Sequence, residues 1–356
     1  MPTPVMPAPM PGLLAVPAQR LSAIRDLLAV LTAGRRVVLS THINADGDGC
    51  GSEAGFARIL AGAGIESRIV NPTPWPGLFD FLLGPGVDDQ TARGADALAG
   101  ADVMVVLDIG DVRRLGTLAD AVRALAIPKL VIDHHVAGDE PPGPTVFSDT
   151  TACATGELVF DLAVVAGWTI TREAATSLYT ALLTDTGGFR FSNTSPRCHA
   201  IAGYLLSLGI DPEEMYRRVY GSVPIGRLHL LRDALATLDV DPDYAISWIS
   251  VPAGAVERYG LKSEDLDGIA EHPRSIAGTR LAIFFRDLGH GKVKVSFRST
   301  GGVDVNLLAR QFGGGGHAKA AGALVAGSLE AVRTQVIGAA RAYIGPQSLP
   351  PVASVV

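Results

Sequence analysis

The sequence predicts an α/β protein: an N-terminal domain built on a parallel sheet, and a smaller C-terminal α+β domain. Apolar runs alternate with helical patterns in the first part of the chain, helical patterns dominate residues 154–238, and strand patterns return from residue 244. A chain of 356 residues can hold two domains of ordinary size, each with its own core. We expect the active site in the cleft between them.

The N-terminal elements follow from apolar spacing. Helical spacing predicts a first helix over residues 21–31, which Gly34 ends, and short apolar runs predict the strands. Such strands, alternating with helices, are typical of a parallel sheet covered on both faces. The predicted strands are 36–40, 65–70, 103–107 and 129–132, and the other predicted helices are 51–60, 172–184, 196–208 and 212–220.

The second domain is predicted from strands at 244–251, 281–286 and 292–297, a turn at 287–291 that joins the last two, and a closing helix at 329–343. The two ends of the chain are rich in proline, so we expect both to be disordered tails. The predicted organisation is a tail over 1–19, a catalytic domain over 20–210, a helical linker over 211–238, a substrate-binding domain over 239–345 and a tail over 346–356.

Composition narrows the class of protein. The three cysteines are widely spaced and form no CxxC pair. This pattern suits a protein of the reducing cytoplasm and argues against a zinc ribbon. The first basic residue, Arg20, follows the N-terminal apolar stretch, and no window of eighteen residues is uninterruptedly apolar, so we expect neither export nor a membrane partner. The formal charge is −6, yet residues 279–320 carry seven basic and two acidic residues. That distribution fits metal binding in one domain and phosphate binding in the other, although a solvated pair of charged strands is the alternative. The net negative charge and the absence of an extensive basic face argue against binding of long nucleic acid.

Potential metal ligands follow the first predicted strand. The loop contains His42, Asp46 and Asp48 between flexible glycines. In an open parallel sheet, loops at the carboxyl ends of strands form the ligand crevice. One imidazole and two carboxylates there can converge on a cation, although an ordinary Asp/Gly turn capped by Asp48 is the alternative.

Three further loops extend this set. Asp108 follows an apolar strand directly, and a carboxylate buried there needs a partner. His134 and His135 follow another strand, and Asp185 ends an apolar helix, where the helix dipole favours a cation. Each loop alone has a simpler explanation. Asp108 fits a helix cap, the two histidines fit a surface pair, and Asp185 fits a helix stop. Their combination predicts a two-metal centre.

This series of residues resembles the DHH phosphoesterase superfamily, which includes RecJ-type exonucleases and manganese pyrophosphatases. Residues 295–299 and the run 312–317, Phe-Gly-Gly-Gly-Gly-His, resemble the DHH-associated domain. With residues 184–193 they narrow the resemblance to the nanoRNase/pAp phosphatase (NrnA-type) branch, over about residues 20–344. Ala45 stands where the family usually has proline, and Gly49 and Cys50 replace bulkier residues, but no expected ligand is lost.

The resemblance implies a role for each residue. It implies catalytic roles for Asp108, as the bridge between two metals, for His135, facing the scissile phosphate, and for Arg114, neutralising its charge. The implied cofactors are two Mn²⁺ ions, with Mg²⁺ or Co²⁺ as possible substitutes. The implied ligands are His42, Asp46, Asp108 and Asp185 for one metal, and Asp48, Asp108, His134 and Asp185 for the other. The implied contacts to the rest of the nucleotide are Arg298, Ser299, Gly314, Gly315, Gly316 and His317.

The expected activity is hydrolysis of short oligoribonucleotides (nanoRNA) to mononucleotides, with removal of the 3′-phosphate of pAp as a second activity. The expected partners are short single-stranded RNA or dinucleotides, pAp and a second copy of the chain in a homodimer. Cleavage of cyclic di-AMP or pApA is the nearest alternative, and a pyrophosphatase is a weaker one. A non-catalytic nucleotide sensor would be marked by a lost ligand. A Rossmann dehydrogenase is excluded, because the first strand leads into an acidic loop instead of GxGxxG.

Overall fold

The chain divides into two compact units, and the division falls between Ser222 and Val223. The computed structural model describes residues 12–266 and 268–346. The boundary falls inside the predicted helical linker, between two of its helices. Unit 1 holds a five-stranded parallel sheet and unit 2 a six-stranded mixed sheet, which confirms the predicted fold class. Among the described residues, no helix has the length and apolar character needed to cross a membrane.

Unit 1 alternates strands with helices, as the apolar runs predict. Its strands are β1 (Arg36–Ser40), β2 (Glu66–Ile69), β3 (Val103–Leu107), β4 (Lys129–Asp133) and β5 (Thr145–Ser148). Its α-helices are α1 (Leu21–Leu28), α2 (Gly47–Gly62), α3 (Ala119–Ala124), α4 (Thr155–Ala166), α5 (Arg172–Asp185), α6 (Pro196–Ser207) and α7 (Pro212–Val219). Four 3₁₀ helices lie at Ala18–Arg20, Gly77–Leu82, Thr91–Leu98 and Val112–Leu118.

The parallel sheet has the order β2-β1-β3-β4-β5. Alternate residues of its central strands enter two different apolar cores, because successive side chains of a strand point to opposite faces. Val105 lies in the larger core, with residues of α1, α2, α4, α5 and α6, while Val106 lies in a smaller core with Val112 and Leu115. Since β1, β3 and β4 are parallel neighbours, the segments that follow them begin at one edge of the sheet.

The N-terminal prediction needs a correction in its described part. Residues 12–19, predicted as part of a disordered tail, form a turn and enter a 3₁₀ helix, and Val16 packs against the larger core. Arg20 anchors this segment through buried ion pairs of 2.7 Å to Glu157 and Asp161. The proline content therefore does not prevent order here. Residues 1–11 and 347–356 of the predicted tails lie outside the described part of the chain.

Unit 2 is built on a mixed sheet of order β10-β11-β9-β8-β7-β6, in which only β7 and β8 pair in parallel. Its strands are β6 (Asp239–Asp241), β7 (Ile246–Val251), β8 (Leu281–Asp287), β9 (Lys292–Ser299), β10 (Gly315–Gly316) and β11 (Ala320–Ala326). Its helices are α8 (Ile225–Leu235), α9 (Ala255–Arg258), α10 (Glu271–Arg274), α11 (Val305–Arg310) and α12 (Leu329–Ile344), with a 3₁₀ helix at Glu264–Leu266.

Candidate metal centre

The loop that follows β1 is fixed by three backbone amides. The amide of Thr41 donates to Asn71 Oδ1 at 2.9 Å, that of Ile43 to the carbonyl of Arg114 at 2.9 Å, and that of Asn44 to Thr73 Oγ1 at 2.8 Å. Hydrogen bonds at both ends of the segment hold the intervening His42 in place. The loop is therefore a defined scaffold for its ligands.

Helix α2 begins directly after this loop, at Gly47, four residues earlier than predicted. The N-cap is Asp46 and not Asp48, since Asp46 Oδ1 accepts from the amides of Asp48 and Gly49 at 3.1 Å each. Asp48 thus lies in the first turn of α2 and is only 1% exposed. Capping and cation binding are compatible, because the other oxygen of Asp46, Oδ2, faces His42 Nε2 at 3.7 Å.

The N-terminus of α4 holds two of the predicted ligands. Asp48 accepts from the amides of Thr155 at 2.6 Å and Gly156 at 3.0 Å, and from Ser52 Oγ at 2.9 Å. The hydroxyl of Thr155 donates to Asp108 Oδ1 at 2.9 Å. Thr155 was not identified from the sequence, since nothing in the local pattern marks a threonine at a helix start as a contact to two distant carboxylates.

The six predicted ligands come together at this edge of the sheet. Candidate ligand atoms of His42, Asp46 and Asp108 lie within 4.8 Å of one another, and so do those of Asp48, His134 and Asp185. His134 Nε2 also lies 3.6 Å from Asp108 Oδ1, so Asp108 adjoins both groups. Asp185 groups with Asp48 and His134 among the described residues, and its sharing between two metals stays a prediction.

The donor set fits divalent cations. His42 Nδ1 lies 2.9 Å from the carbonyl of Ile43, which assigns the proton to that nitrogen and leaves Nε2 as an electron-pair donor. The Nε2 atoms of His42 and His134 are buried and have no hydrogen-bond partner among the described residues. No lysine or arginine within 12–266 and 268–346 pairs with the four carboxylates of the cluster, whose ion-pair contacts are all imidazoles.

The pKa values of several side chains in the cluster are shifted so that positive charge or a bound proton is favoured there. Burial and the neighbouring Asp108 raise the pKa of Asp48, and burial raises the pKa of Asp185 to about 6. Burial alone would lower the pKa of His42, but Asp108 and Asp46 outweigh it and raise that pKa to about 10. The side chains of Asp48, Asp185 and His42 therefore favour bound protons, which a divalent cation would replace.

His135 is oriented by a carboxylate beside the cluster. Its Nδ1 bonds to Asp133 Oδ1 at 2.8 Å and lies 3.6 Å from Asp108 Oδ1. Burial opposes protonation, but Asp133 and Asp108 together raise the pKa of His135. Arg114, half-buried in the 3₁₀ helix Val112–Leu118, acts electrostatically on His135, which places its charge nearby.

Asp185 ends α5 and is held by the loop that follows. Asn193 Nδ2 donates to Asp185 Oδ2 at 3.1 Å and to the carbonyl of Cys153 at 2.9 Å. Asn193 therefore links the end of α5 to the approach to α4. Asn193 belongs to the segment 184–193 that contributed to the family resemblance, but its contact with Asp185 depends on how the two helices pack.

The residues predicted to contact the rest of the nucleotide lie in unit 2, and several of them already form hydrogen bonds or ion pairs within it. Arg298 Nε pairs with Glu271 Oε1 at 2.9 Å. Ser299 is 3% exposed, and its hydroxyl donates to the carbonyl of Val303 at 2.7 Å. A substrate contact from Ser299 would therefore have to replace the hydrogen bond that shapes this turn.

The glycine run has a structural cause that the sequence did not indicate. A Cβ on Gly314 would lie 2.1 Å from the carbonyl oxygen of Gly322, and one on Gly316 would lie 2.6 Å from that of Ala320. The amides of Gly314 and Gly316 donate to Ala309 O and Asn306 Oδ1. The amides of Gly314 and Gly316 would have to release these hydrogen bonds in order to bind a nucleotide. His317 is exposed.

Comparison with known proteins places the two units in known families. Residues 36–182 match the family model described as "DHH family, N-terminal domain", and residues 243–344 match "DHHA1 domain". The chain is 32% identical, over 86% of its length and 89% of the other, to the bifunctional oligoribonuclease and PAP phosphatase NrnA of Thermus thermophilus. It is 28% identical to the protein of that name from Bacillus subtilis, over 84% of this chain and 92% of that one.

A solved structure resembles the whole fold. The crystal structure of an exopolyphosphatase-related protein from Bacteroides fragilis superposes with a TM-score of 0.84 at 28% identity, covering 91% of this chain and 96% of that one. The similarity therefore extends across both units in sequence and in structure.

Proposed function

The chain belongs to the DHH family, with a DHHA1 domain at its C-terminal end, and from that membership we propose that it is a metal-dependent phosphoesterase. The proposed substrates are short oligoribonucleotides, which it hydrolyses to mononucleotides, and pAp, from which it removes the 3′-phosphate. The observation that carries the proposal is the cluster of two imidazoles and four carboxylates that lacks a lysine or arginine partner among the described residues. The proposed substrate class is supported by the names of two relatives, each of which is aligned over most of its length.

The proposed cofactors are two Mn²⁺ ions, since mixed imidazole and carboxylate ligands suit manganese better than calcium. His42, Asp46 and Asp108 would hold one ion, and Asp48, His134 and Asp185 the other, with Asp108 shared. When bound, such a pair supplies an activated water nucleophile and neutralises charge on the phosphoryl oxygens. Mg²⁺ or Co²⁺ would substitute.

The side chains around the cluster have separate tasks in this proposal. Asp133 holds the imidazole of His135 in one orientation through its 2.8 Å contact. His135, whose pKa is raised, can then present a proton or positive charge to the phosphate. Arg114 adds a guanidinium that stabilises the charge developing in the transition state.

Two other functions use the same residues. Cleavage of cyclic di-AMP or pApA needs the same centre and differs only in the substrate accommodated. A non-catalytic nucleotide sensor is less favoured, because all six expected ligands are present and adjacent. A homodimer remains a prediction from the family resemblance, and a cytoplasmic location remains a prediction from the cysteine pattern.

The test is an assay of the full chain with Mn²⁺ on RNA dimers to pentamers, pAp, pApA and cyclic di-AMP. We expect turnover of short RNA and pAp, and a loss of at least about a hundredfold in Asp108→Ala, because the shared ligand is removed. The matched control is Asp120→Ala, whose side chain is 95% exposed. Full activity of Asp108→Ala would contradict the proposal, and turnover of cyclic di-AMP or pApA alone would favour the alternative.

A further inference from the structure

Two buried residues outside the ligand set are hydrogen-bonded to each other, and one of them, Asn71, accepts a hydrogen bond from the ligand loop. We propose that Glu53 and Asn71 form a positioning relay that fixes the loop 41–46 for metal binding. The inference rests on the proposed metal centre and assigns a task to a carboxylate that the proposed mechanism does not use.

The relay consists of two hydrogen bonds in series. Glu53 lies on α2 and is fully buried, and its Oε2 accepts from Asn71 Nδ2 at 2.8 Å. Asn71 follows β2 and is 3% exposed, and its Oδ1 accepts from the amide of Thr41 at 2.9 Å. The next residue is His42, a candidate ligand. Glu53 thus reaches the ligand loop through one intervening side chain.

The carboxylate decides which way the amide of Asn71 points. Because Glu53 Oε2 accepts from the NH₂ group of Asn71, that group faces Glu53 and the carbonyl oxygen of Asn71 faces the amide of Thr41. With the acceptor removed, the Asn71 side chain is free to rotate, and the buried amide of Thr41 loses its partner. A buried donor without a partner is unfavourable, so the loop would shift to regain one.

The same segment holds the loop at a second point. Thr73 accepts from the amide of Asn44 through its hydroxyl at 2.8 Å, and Asn71 itself is anchored by its own amide to Thr91 Oγ1 at 3.0 Å. The segment 71–73 therefore brackets the loop on either side of His42. Metal affinity depends on such supporting contacts, because each ligand atom must lie within a few tenths of an ångström of its place.

The test compares metal affinity with fold stability in the full chain. Glu53→Met removes the acceptor, Asn71→Leu removes the link, and Glu53→Gln keeps an acceptor for Asn71. The dissociation constant for Mn²⁺ is measured by calorimetric titration of chelator-treated protein, and the thermal midpoint is measured without metal. Asp161→Asn is the matched control, since Asp161 is equally buried but pairs with Arg20 and Arg197.

We expect Glu53→Met and Asn71→Leu each to weaken Mn²⁺ binding by about tenfold or more, as loss of a supporting contact does. The double variant should bind Mn²⁺ no more weakly than the weaker-binding single variant, because both single substitutions break the same relay. Glu53→Gln should bind within about twofold of the unmodified chain, and Asp161→Asn should change only the thermal midpoint.

The relay is contradicted if the losses of Mn²⁺ affinity add up in the double variant, or if Asn71→Leu binds Mn²⁺ as tightly as the unmodified chain. If Glu53→Met does not fold, Asn71→Leu and Glu53→Gln decide by the same criteria. Failure of the proposed function is distinguishable, because the unmodified chain would then bind no Mn²⁺ and hydrolyse no substrate. Failure of the relay alone leaves both intact.

Discussion

Asp108 occupies a left-handed backbone conformation, with φ at 64°. Residues other than glycine adopt this conformation at a cost, and such strain persists where the surroundings hold it. Here the amide of Asp108 donates to Ile132 O at 2.9 Å, and its carboxylate contacts Thr155 and three imidazoles. The strained turn directs the side chain at the end of β3 into the ligand cluster.

Substitutions at Thr155 can distinguish the effect of its hydroxyl group from the effect of its backbone amide. Thr155→Val is nearly isosteric and keeps the amide that binds Asp48, but it removes the hydroxyl bond to Asp108. We expect Thr155→Val to weaken Mn²⁺ binding by about tenfold, because Asp108 is then less constrained. Metal titration checks this. Thr155→Ser retains the hydroxyl and serves as the control; equal affinities for Val and Ser variants would show that the hydroxyl has no such effect.

Glu53 gives a pH signature in the metal-free protein. Burial raises the pKa of Glu53 to about 8, although the hydrogen bond from Asn71 opposes the shift. A raised pKa means that the folded state retains a proton that the unfolded state releases, so the stability contributed by Glu53 is present below about pH 4.5 and is lost as the pH rises towards 8.

We therefore expect Glu53→Gln to gain stability relative to the unmodified chain between about pH 4.5 and pH 8, with a plateau above. Urea unfolding of both proteins across this range measures the difference in the free energy of unfolding. A difference that does not change with pH would show that Glu53 has the same pKa in both states.

The candidate ligands were predictable from sequence, whereas their supporting residues were not. His42, Asp48 and Asp108 follow or adjoin the ends of apolar strands, and parallel strands bring such ends to one edge. Thr155 and Asn71 depend on how α4 and β2 lie against that edge, and local periodicity carries no information about this. For the same reason, the engagement of Arg298 with Glu271 was not foreseen.

At the scale of elements, α2 and α5 approach each other along a face of small residues. A Cβ on Gly47 would lie 2.3 Å from Thr184 Cγ2, one on Gly51 would lie 2.5 Å from the carbonyl oxygen of Ser177, and one on Gly55 would lie 2.8 Å from Leu178 Cδ2. The three glycines recur every four residues and so share one side of the helix. This close approach brings Asp48, on α2, near Asp185, at the end of α5.

Gly51→Ala tests this packing. The added methyl would meet backbone atoms of Ser177 and Ala181, which cannot rotate away, so we expect a loss of about 1–3 kcal/mol in the free energy of unfolding. Weaker Mn²⁺ binding should accompany it, because the two carboxylates are pushed apart. Both quantities are measured on the same preparation by urea unfolding and metal titration.

The control is Gly203→Ala, in α6, where nothing lies within 4 Å of an added Cβ. There the better helix propensity of alanine should raise stability by up to about 1 kcal/mol without changing metal affinity. The idea of a glycine-dependent helix contact fails if Gly51→Ala and Gly203→Ala behave alike.

Elements with strong periodicity were predicted well, and weakly marked ones were missed. The bounds of β1 and β3 agree with the predicted strands, because their apolar runs are short and clearly limited. β5 was missed since it is only four residues long with two polar ends, and β11 was missed because its alanines and glycine favour no single structure. Both were fixed by pairing with β4 and β9 instead of by local pattern.

In the whole molecule, the candidate ligands, His135 and Arg114 belong to unit 1, and the residues predicted to contact the rest of the nucleotide belong to unit 2. Metal binding should therefore stabilise unit 1 selectively. At a Mn²⁺ concentration about a hundred times the dissociation constant, we expect about 2.7 kcal/mol of added stability, and hence about hundredfold slower hydrogen exchange of its most protected amides.

Hydrogen exchange with and without chelator checks this expectation. Peptides from β1, β3 and β4 should exchange faster after chelation. Peptides from β8 and β9 in unit 2 serve as the internal control and should keep their rates if they unfold independently. Acceleration confined to unit 2 would place the metal elsewhere.

Binding of a pair of divalent cations by six side chains from four segments of unit 1 can be seen by anomalous diffraction. A crystal grown with Mn²⁺ is measured at the manganese edge. We expect two peaks, one contacted by His42, Asp46 and Asp108 and the other by Asp48, His134 and Asp185. Absence of any peak at these residues, with manganese bound elsewhere or not at all, would contradict this expectation.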